Sequence, residues 1–388
     1  MTEMVYGAIP VERGDPVLPR WWRTLDKISL GCVLVLLGIG LVLGLASSPP
    51  LAARNGLEPF FYVVRQAQFG GLALLVMIAT TMMSPKLVRR LAALGFLCAF
   101  AALVALPFIG TDYGKGAVRW LSLGFTGVQP SEFLKPGFMV VSAWLIAAGA
   151  EPGGPPGKTW SLILALVIVG FLTMQPDYGQ ASLLLFGWGV MYFVGGAPML
   201  LLVVLAASVA GAGVFAYNGS EHFARRIDGF LSADVDPNTQ LGYAANAIQE
   251  GRFFGVGVGE GQVKWSLPDA HTDFIIAVAA EEYGLVMVLA IIGLFSVVVV
   301  RSFVRLMRER DPFIRLAGTG LTALFGVQAI INLGVAVRLL PAKGMTLPFV
   351  SYGGSSLIAS GILMGMLLAF TRSRAQGEIG DLLIRSGR

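Results

Sequence analysis

The chain has 388 residues, 55% of them apolar and only 13% charged, with a mean hydropathy of +0.74. A soluble protein of this length would be left with too little polar surface, so the composition points to an integral membrane protein. The net charge of +5 does not imply nucleic acid, because Lys and Arg fall in short clusters between apolar runs and form no continuous basic stripe.

Residues 1–27 carry Arg13, Arg20, Arg23, Asp15 and Asp26 ahead of an apolar run of spanning length, with no small-residue cleavage site. That is the pattern of a cytoplasmic tail followed by a first helix, not of a removed leader. A bilayer core needs about 20 apolar residues per helix. Ten segments approach that length, at about 28–47, 60–83, 91–109, 132–149, 159–175, 180–196, 199–217, 274–300, 314–337 and 353–371. The expected fold is all-α, with about ten transmembrane helices in one membrane domain over 28–371. Only Pro176 and the run Gly195–Gly196–Ala197–Pro198 separate the fifth, sixth and seventh segments.

With the N-terminus inside, the cytoplasmic side receives Lys86, Arg89, Arg90, Lys158 and the cluster Arg301, Arg305, Arg308, Arg310 and Arg315. It also receives the tail 372–388 with Arg372, Arg374, Arg385 and Arg388, as the positive-inside rule requires. The longest connection, about 218–273 between the seventh and eighth helices, is then extracytoplasmic and is expected to fold over the bundle as short amphipathic helices. The segments 110–131 and 338–352 share that side. Cys32 and Cys98 both lie within apolar stretches and read as packing residues, leaving neither a disulfide framework nor a Cys-based zinc site.

Ionisable groups at membrane depth are costly and mark candidate sites, with a structural ion pair as the competing reading. The first candidate is Arg119–Trp120 with the stretch Gln129 to Pro136. Pro130 suits a first helical turn, Glu132 complements the helix dipole, and Glu132 and Lys135 share one face at i, i+3. This reads either as a capped, kinked helix with an internal ion pair or as a cationic or proton-handling site. The second candidate is Asp269–Ala270–His271–Thr272–Asp273–Phe274, before a long apolar helix that carries Glu281 and Glu282. Asp273 at the helix mouth suits a general base or merely an N-cap, and at most one of Glu281 and Glu282 is expected to face its cavity. The third candidate, Arg338 to Ser356, is broken by Pro341, Pro348 and several glycines. Irregular backbone at membrane depth is tolerated only against protein or a wet cavity, and Lys343 with the hydroxyls of Ser351 and Ser355 could hold an anionic headgroup.

The chain has no Walker A sequence, and its only histidines are His222 and His271, too few for a zinc hydrolase site. Gly255, Gly257, Gly259 and Gly261 alternate singly, as in a loop. An enzyme of this kind needs a substrate that carries its own leaving group.

At these segments the sequence resembles the SEDS family of peptidoglycan glycosyltransferases, the group of FtsW, RodA and SpoVE. The resemblance runs from about residue 25 to 372. It rests on Arg119–Trp120 with Gln129–Pro130–Ser131–Glu132 and Lys135, on Gln175–Pro176–Asp177, on Leu267 to Phe274 with Glu281–Glu282, and on Pro341 to Ser356. Lys343 and Thr346 are more like the division member FtsW than the elongation member RodA. Tyr243–Ala244, Pro268–Asp269, Gln175 to Gln180 and Arg338 depart from the family's usual residues.

The resemblance implies polymerisation of lipid II on the outer face of the bacterial inner membrane, at the division septum. In it the 4-hydroxyl of an acceptor GlcNAc displaces undecaprenyl pyrophosphate from a donor MurNAc with inversion. It implies Asp273 as the base, Arg119, Lys135 and Lys343 around the pyrophosphate, and Glu132 positioning Lys135 or a divalent cation (Mg or Mn). Trp120 would pack on lipid or sugar, with His271 and Glu281 in supporting roles. The implied partner is a single-span class B penicillin-binding protein, since the chain has no Ser-x-x-Lys transpeptidase arrangement of its own, together with other divisome proteins and membrane lipids. A lipid II flippase, a non-catalytic divisome scaffold and a RodA-type elongation role are the alternatives.

Overall fold

The computed structural model describes residues 17–111, 118–122, 124, 127–219, 221–231, 239–267, 269–341 and 344–373. A short helix α1 (Val17–Thr24) opens it, followed by α2 (Lys27–Arg54), α3 (Phe61–Thr81), α4 (Pro85–Ile109), α5 (Pro130–Ala148), α6 (Gly157–Met174), α7 (Tyr178–Val194) and α8 (Met199–Gly219). Three short helices, α9 (Glu221–Leu231), α10 (Gln240–Gly251) and α11 (Val263–Ser266), fill the long connection before α12 (Ile275–Met307), α13 (Pro312–Ala336) and α14 (Gly354–Phe370). Each of the ten apolar segments coincides with one of the long helices, α2 to α8 and α12 to α14. Among the described residues, α2, α3, α4, α6, α12 and α13 are long and apolar enough to cross a membrane.

The expectation of an all-α chain misses one element, a two-stranded antiparallel hairpin of β1 (Leu121–Ser122) and β2 (Gly127–Val128) between α4 and α5. Strands of two residues leave no trace in hydropathy read over spanning lengths.

Local chemistry sets several helix starts. Ser84 accepts from the Leu87 N–H at 3.4 Å ahead of Pro85, and Asp311 accepts from the Phe313 and Ile314 N–H groups at 2.9 and 3.2 Å ahead of Pro312. These are N-caps with proline at the first helical position, where its missing N–H costs nothing.

Helix α13 is the centre of the bundle, packed by α5, α7, α12 and α14 and buried along most of its length. Around it, α3, α4 and α6 turn Leu72, Leu75, Leu94, Leu97, Ile163 and Leu166 outward, as expected where the solvent is lipid. Apolar contact alone cannot hold such helices together, since lipid tails are equally apolar, so close backbone approach matters more. Gly361 and Gly365 on α14 supply it against α3. A Cβ at Gly361 would sit 2.5 Å from the Ala73 carbonyl oxygen, and one at Gly365 would sit 2.8 Å from that of Met77.

Helix α12 is broken at Gly284, whose φ of 72° lies in the region glycine alone enters readily. The backbone groups freed there are paired by the glycine-rich segment after α10. The Leu285 and Val286 N–H groups donate to the Arg252 and Phe253 carbonyls at 3.0 and 3.3 Å, and the Val256 N–H donates to the Glu281 carbonyl at 2.8 Å. Gly255 permits this approach, because a Cβ there would meet the Glu282 carbonyl oxygen at 2.1 Å.

Gly361→Ala is expected to cost on the order of 2 kcal/mol through overpacking and to lower the apparent Tm in detergent. Gly293→Ala, on the part of α12 where a Cβ meets nothing within 4 Å, is expected to be neutral or to stabilise by about 0.5–1 kcal/mol. Equal melting temperatures for the two variants would refute the close-packed α3–α14 contact.

Candidate active site

Asp273 lies immediately before the first turn of α12, half-buried, and three successive carbonyls of its segment are held from outside it. The His271 carbonyl accepts from the Tyr352 N–H at 2.9 Å, the Thr272 carbonyl from Ser351 Oγ at 2.5 Å, and the Asp273 carbonyl from Asn332 Nδ2 at 3.1 Å. Ser351 Oγ also accepts from the Leu347 N–H at 2.9 Å, closing the loop on itself. Asn332 Nδ2 donates a second bond to the Met345 carbonyl at 2.6 Å, and Gln328, one turn earlier on α13, donates to the Thr346 carbonyl at 3.0 Å. The irregular segment after α13 is thus a built wall against Asp273, as backbone at membrane depth requires.

The N-cap alternative for Asp273 is not realised. Its own N–H is taken by the Asp269 carbonyl at 3.2 Å, and α12 begins from Phe274 with no side-chain cap. Gly344 approaches the carboxylate closely enough that a Cβ there would sit 3.6 Å from Asp273 Oδ2. Lys343, the preceding residue, lies outside the described residues. The His271 ring packs with Tyr62 and Tyr352, centroids 5.7 and 5.5 Å away, so it lines the same wall.

A second cluster forms where α5 meets α7. Lys135 Nζ lies 3.0 Å from both carboxylate oxygens of Glu132 and donates to Gln180 Oε1 at 2.7 Å, while Gln180 Nε2 donates to Glu132 Oε1 at 2.6 Å. Lys135 is 2% exposed and Glu132 5%. The internal ion pair is therefore the arrangement found, and its members have each other, not open space, in front of them. Arg119 is half-buried beside it, donating to the Gln175 carbonyl at 3.0 Å and the Pro176 carbonyl at 2.6 Å. Burial pushes the Asp177 carboxyl above the usual range, and Arg119 acts in the opposite direction. Trp120 is half-buried and takes the Thr111 N–H on its carbonyl at 2.9 Å. Ser355, at the start of α14, joins this side to the Asp273 wall by donating to the Gly127 carbonyl at 3.1 Å and accepting from the Gln129 N–H at 3.2 Å.

Residues 27–376 match the family of cell cycle proteins that comprises FtsW, RodA and SpoVE. The chain is 43% identical over 368 residues to the probable peptidoglycan glycosyltransferase FtsW of Caulobacter vibrioides, covering 93% of this chain and 94% of that one. It is 36% identical to the protein of the same name from Pseudomonas fluorescens, over 91% and 89% of the two chains. The chain belongs to this family. Among solved structures it is similar to a chain of a peptidoglycan synthase complex that coordinates polymerization and crosslinking, with a TM-score of 0.74, 29% identity and coverage of 91% of this chain and 99% of that one. Rod shape determining protein RodA of Thermus thermophilus gives a TM-score of 0.66 at 27% identity, over 92% and 99%.

The SEDS motifs thus divide in space. Asp273, His271, Ser351 and Ser355 gather along the wall after α13, and Arg119, Trp120, Glu132 and Lys135 gather at the α5–α7 junction. Glu281 goes elsewhere: its carboxylate accepts from the Val263 and Lys264 N–H groups at 2.7 and 3.3 Å, capping α11. Glu282 forms a buried ion pair with Lys264. Both glutamates therefore engage the 259–264 segment, because the break at Gly284 lets that segment lie against the first piece of α12.

A divalent cation at Glu132 does not fit this geometry, since both carboxylate oxygens already face Lys135. Among the described residues no three His, Cys, Asp or Glu side chains come together as a ligand set. Residues that sequence reasoning passed over are Asn332, Gln328, Gln180 and Lys264. The only signal for the first three was an amide inside an otherwise apolar helix.

Lys135→Met alone is expected to leave Glu132 as an uncompensated buried charge and to destabilise by about 3–5 kcal/mol, whereas the Glu132→Gln, Lys135→Met double variant loses less than the single one. Melting temperatures in detergent report the coupling, and simple additivity would show that the pair is not coupled.

Proposed function

We propose that the chain is a peptidoglycan glycosyltransferase of the FtsW type, joining lipid II units on the outer face of the inner membrane during septal wall synthesis. The observation that carries this reading is the carboxylate of Asp273, beside an irregular wall whose hydroxyls, amides and carbonyls are tied to a rigid central helix. The names of the relatives and the match to a peptidoglycan synthase chain support it.

In this reading α2 to α8 and α12 to α14 are ten spans with both termini cytoplasmic, and α9 to α11 lie outside. The 4-hydroxyl of the acceptor GlcNAc attacks the anomeric carbon of the donor MurNAc. Asp273 takes the hydroxyl proton as the new C–O bond forms, and undecaprenyl pyrophosphate departs with the electron pair of the broken bond. Attack opposite the leaving group inverts the configuration. Arg119 and Lys343 counter the pyrophosphate charge, which is most effective where water is excluded. Lys135 and Glu132 act by fixing α5 against α7, not by touching substrate.

An apolar groove of about 530 Å³ supports a polyprenyl substrate. It runs along α4 between Leu121 and Val128 at one end and Thr80 and Met83 at the other, lined by Leu91, Phe96, Phe133, Ile362 and Met366. A class B penicillin-binding protein is the partner, since crosslinking has to come from another chain.

The test is polymerisation of lipid II by purified protein with its transpeptidase partner, read as glycan chains on a gel. Asp273→Asn is expected to lose at least about 10²-fold in kcat, and full activity in that variant would remove the base assignment. Asn332→Ala is expected to lower kcat about 10²-fold through misplacement of Asp273, with KM little changed. If wild type makes no glycan with any partner, the enzyme reading fails.

A further inference from the structure

The reaction proposed for Asp273 leaves one buried charged cluster unused, at the far end of the first piece of α12. Glu281 and Glu282 follow Asp273 by eight and nine residues, about 12 Å along the axis by helical rise. Helix α11 lies against them. The Glu281 carboxylate takes the Val263 and Lys264 N–H groups at 2.7 and 3.3 Å, and Lys264 Nζ pairs with Glu282 Oε1 and donates to the Gly259 carbonyl at 3.2 Å. Arg54 of α2 donates to the Trp265 carbonyl, so α11 is held from a second side. Lys264 is 4% exposed and Glu282 1%.

From α11 the chain leads directly to Asp273. Leu267 closes the helix, its N–H donating to the Val263 carbonyl at 3.0 Å, and the Asp269 carbonyl then takes the N–H groups of Thr272, Asp273 and Phe274 at 3.0, 3.2 and 3.4 Å. Only Leu267 and Pro268 stand between Ser266, the last residue of α11, and that turn. A residue before proline is kept extended, as Leu267 is at φ −76° and ψ 111°, so the joint is short and stiff. Asp269 has a φ of 54°, a conformation that a residue other than glycine keeps where its surroundings hold it. The turn that carries Asp273 is therefore referred to α11 as well as to α13.

The Lys264–Glu282 pair is built for geometry more than for strength. Glu282 Oε2 is buried with no hydrogen-bond partner among the described residues, and an apolar pair of similar volume would hold α11 as firmly. It would not fix where α11 stands along α12, as one ammonium bonded to both a carboxylate and a backbone carbonyl does. We infer, on the glycosyltransferase reading above, that Lys264 is a positioning residue for Asp273. Through Glu282 it holds α11, and with it the turn from Asp269, at the height where the Asp273 carboxylate meets the acceptor hydroxyl.

The test uses the full-length protein with its transpeptidase partner. Replacing the pair by apolar residues of similar volume, Lys264→Met with Glu282→Leu, is expected to leave the melting temperature close to that of wild type. The same change is expected to lower kcat for lipid II about tenfold with KM little changed. Gly261→Ala, whose Cβ would lie 2.8 Å from the Glu281 carboxylate carbon, shifts α11 while keeping every charge and is expected to act on kcat in the same direction. In the Asp273→Asn background neither change is expected to cause a further loss, because the group it positions is gone. Hydrogen exchange of the peptide 267–274 is expected to be about tenfold faster in the Lys264→Met, Glu282→Leu protein. Wild-type kcat in both variants, a further loss in the Asp273→Asn background, or unchanged exchange would each overturn the inference. Exchange does not depend on activity, so it decides the role of the pair even where wild type makes no glycan and the glycosyltransferase reading fails.

Discussion

The amide of Asn332 is the constraint on which the Asp273 end of the bundle depends. A carbonyl turned toward the membrane interior cannot borrow a hydrogen bond from water, and leaving it unpaired costs several kcal/mol. Asn332, 2% exposed on the central helix, spends both amide protons on two such carbonyls, those of Asp273 and Met345. One side chain thereby ties to α13 both the segment that bears the proposed base and the segment that faces it, which Ser351 and Tyr352 also bond directly to each other. Because α13 is packed by α5, α7, α12 and α14, both segments are referred to the most rigid part of the molecule.

The helices were legible because spanning length in an apolar run is a strong physical signal, and the irregular stretch from Arg338 to Ser356 was legible because its prolines and glycines forbid a helix. The Glu132–Lys135 pairing followed from i, i+3 spacing alone. What held these parts together was not legible. Asn332, Gln328 and Gln180 are neutral amides inside apolar helices, where they barely alter hydropathy and their partners lie far along the chain. The break at Gly284 is hidden within an unbroken apolar run, and without it the coupling of Glu281 and Glu282 to the 259–264 segment could not be read. Asp273 read as a base or as a cap until α12 was seen to begin from Phe274 with no side-chain cap.

Among the described residues three ionic groupings hold a buried carboxylate: Glu132 with Lys135, Glu282 with Lys264, and Asp26 with the partly exposed Arg301 and Arg305. The third joins elements remote in sequence, the second ties α11 to the first piece of α12, and the first is bridged to α7 by Gln180. In a soluble core such pairs are weak contributors to stability. In a lipid-facing bundle they have a different value, because apolar contact does not distinguish a neighbouring helix from a lipid tail. A charge that must find its counter-charge selects the correct neighbour and register.

The break in α12 bears on how the Asp273 segment is held. The piece Ile275 to Tyr283 ends at Gly284, and the backbone groups around the break are completed only by residues 252–257. The first piece of α12, next to Asp273, is therefore held on two sides, by the preceding glycine-rich segment at the Gly284 break and by the Asn332 amide of α13 at its mouth. A substitution in residues 252–257 can thus reach the Asp273 segment through backbone pairing, without touching the carboxylate.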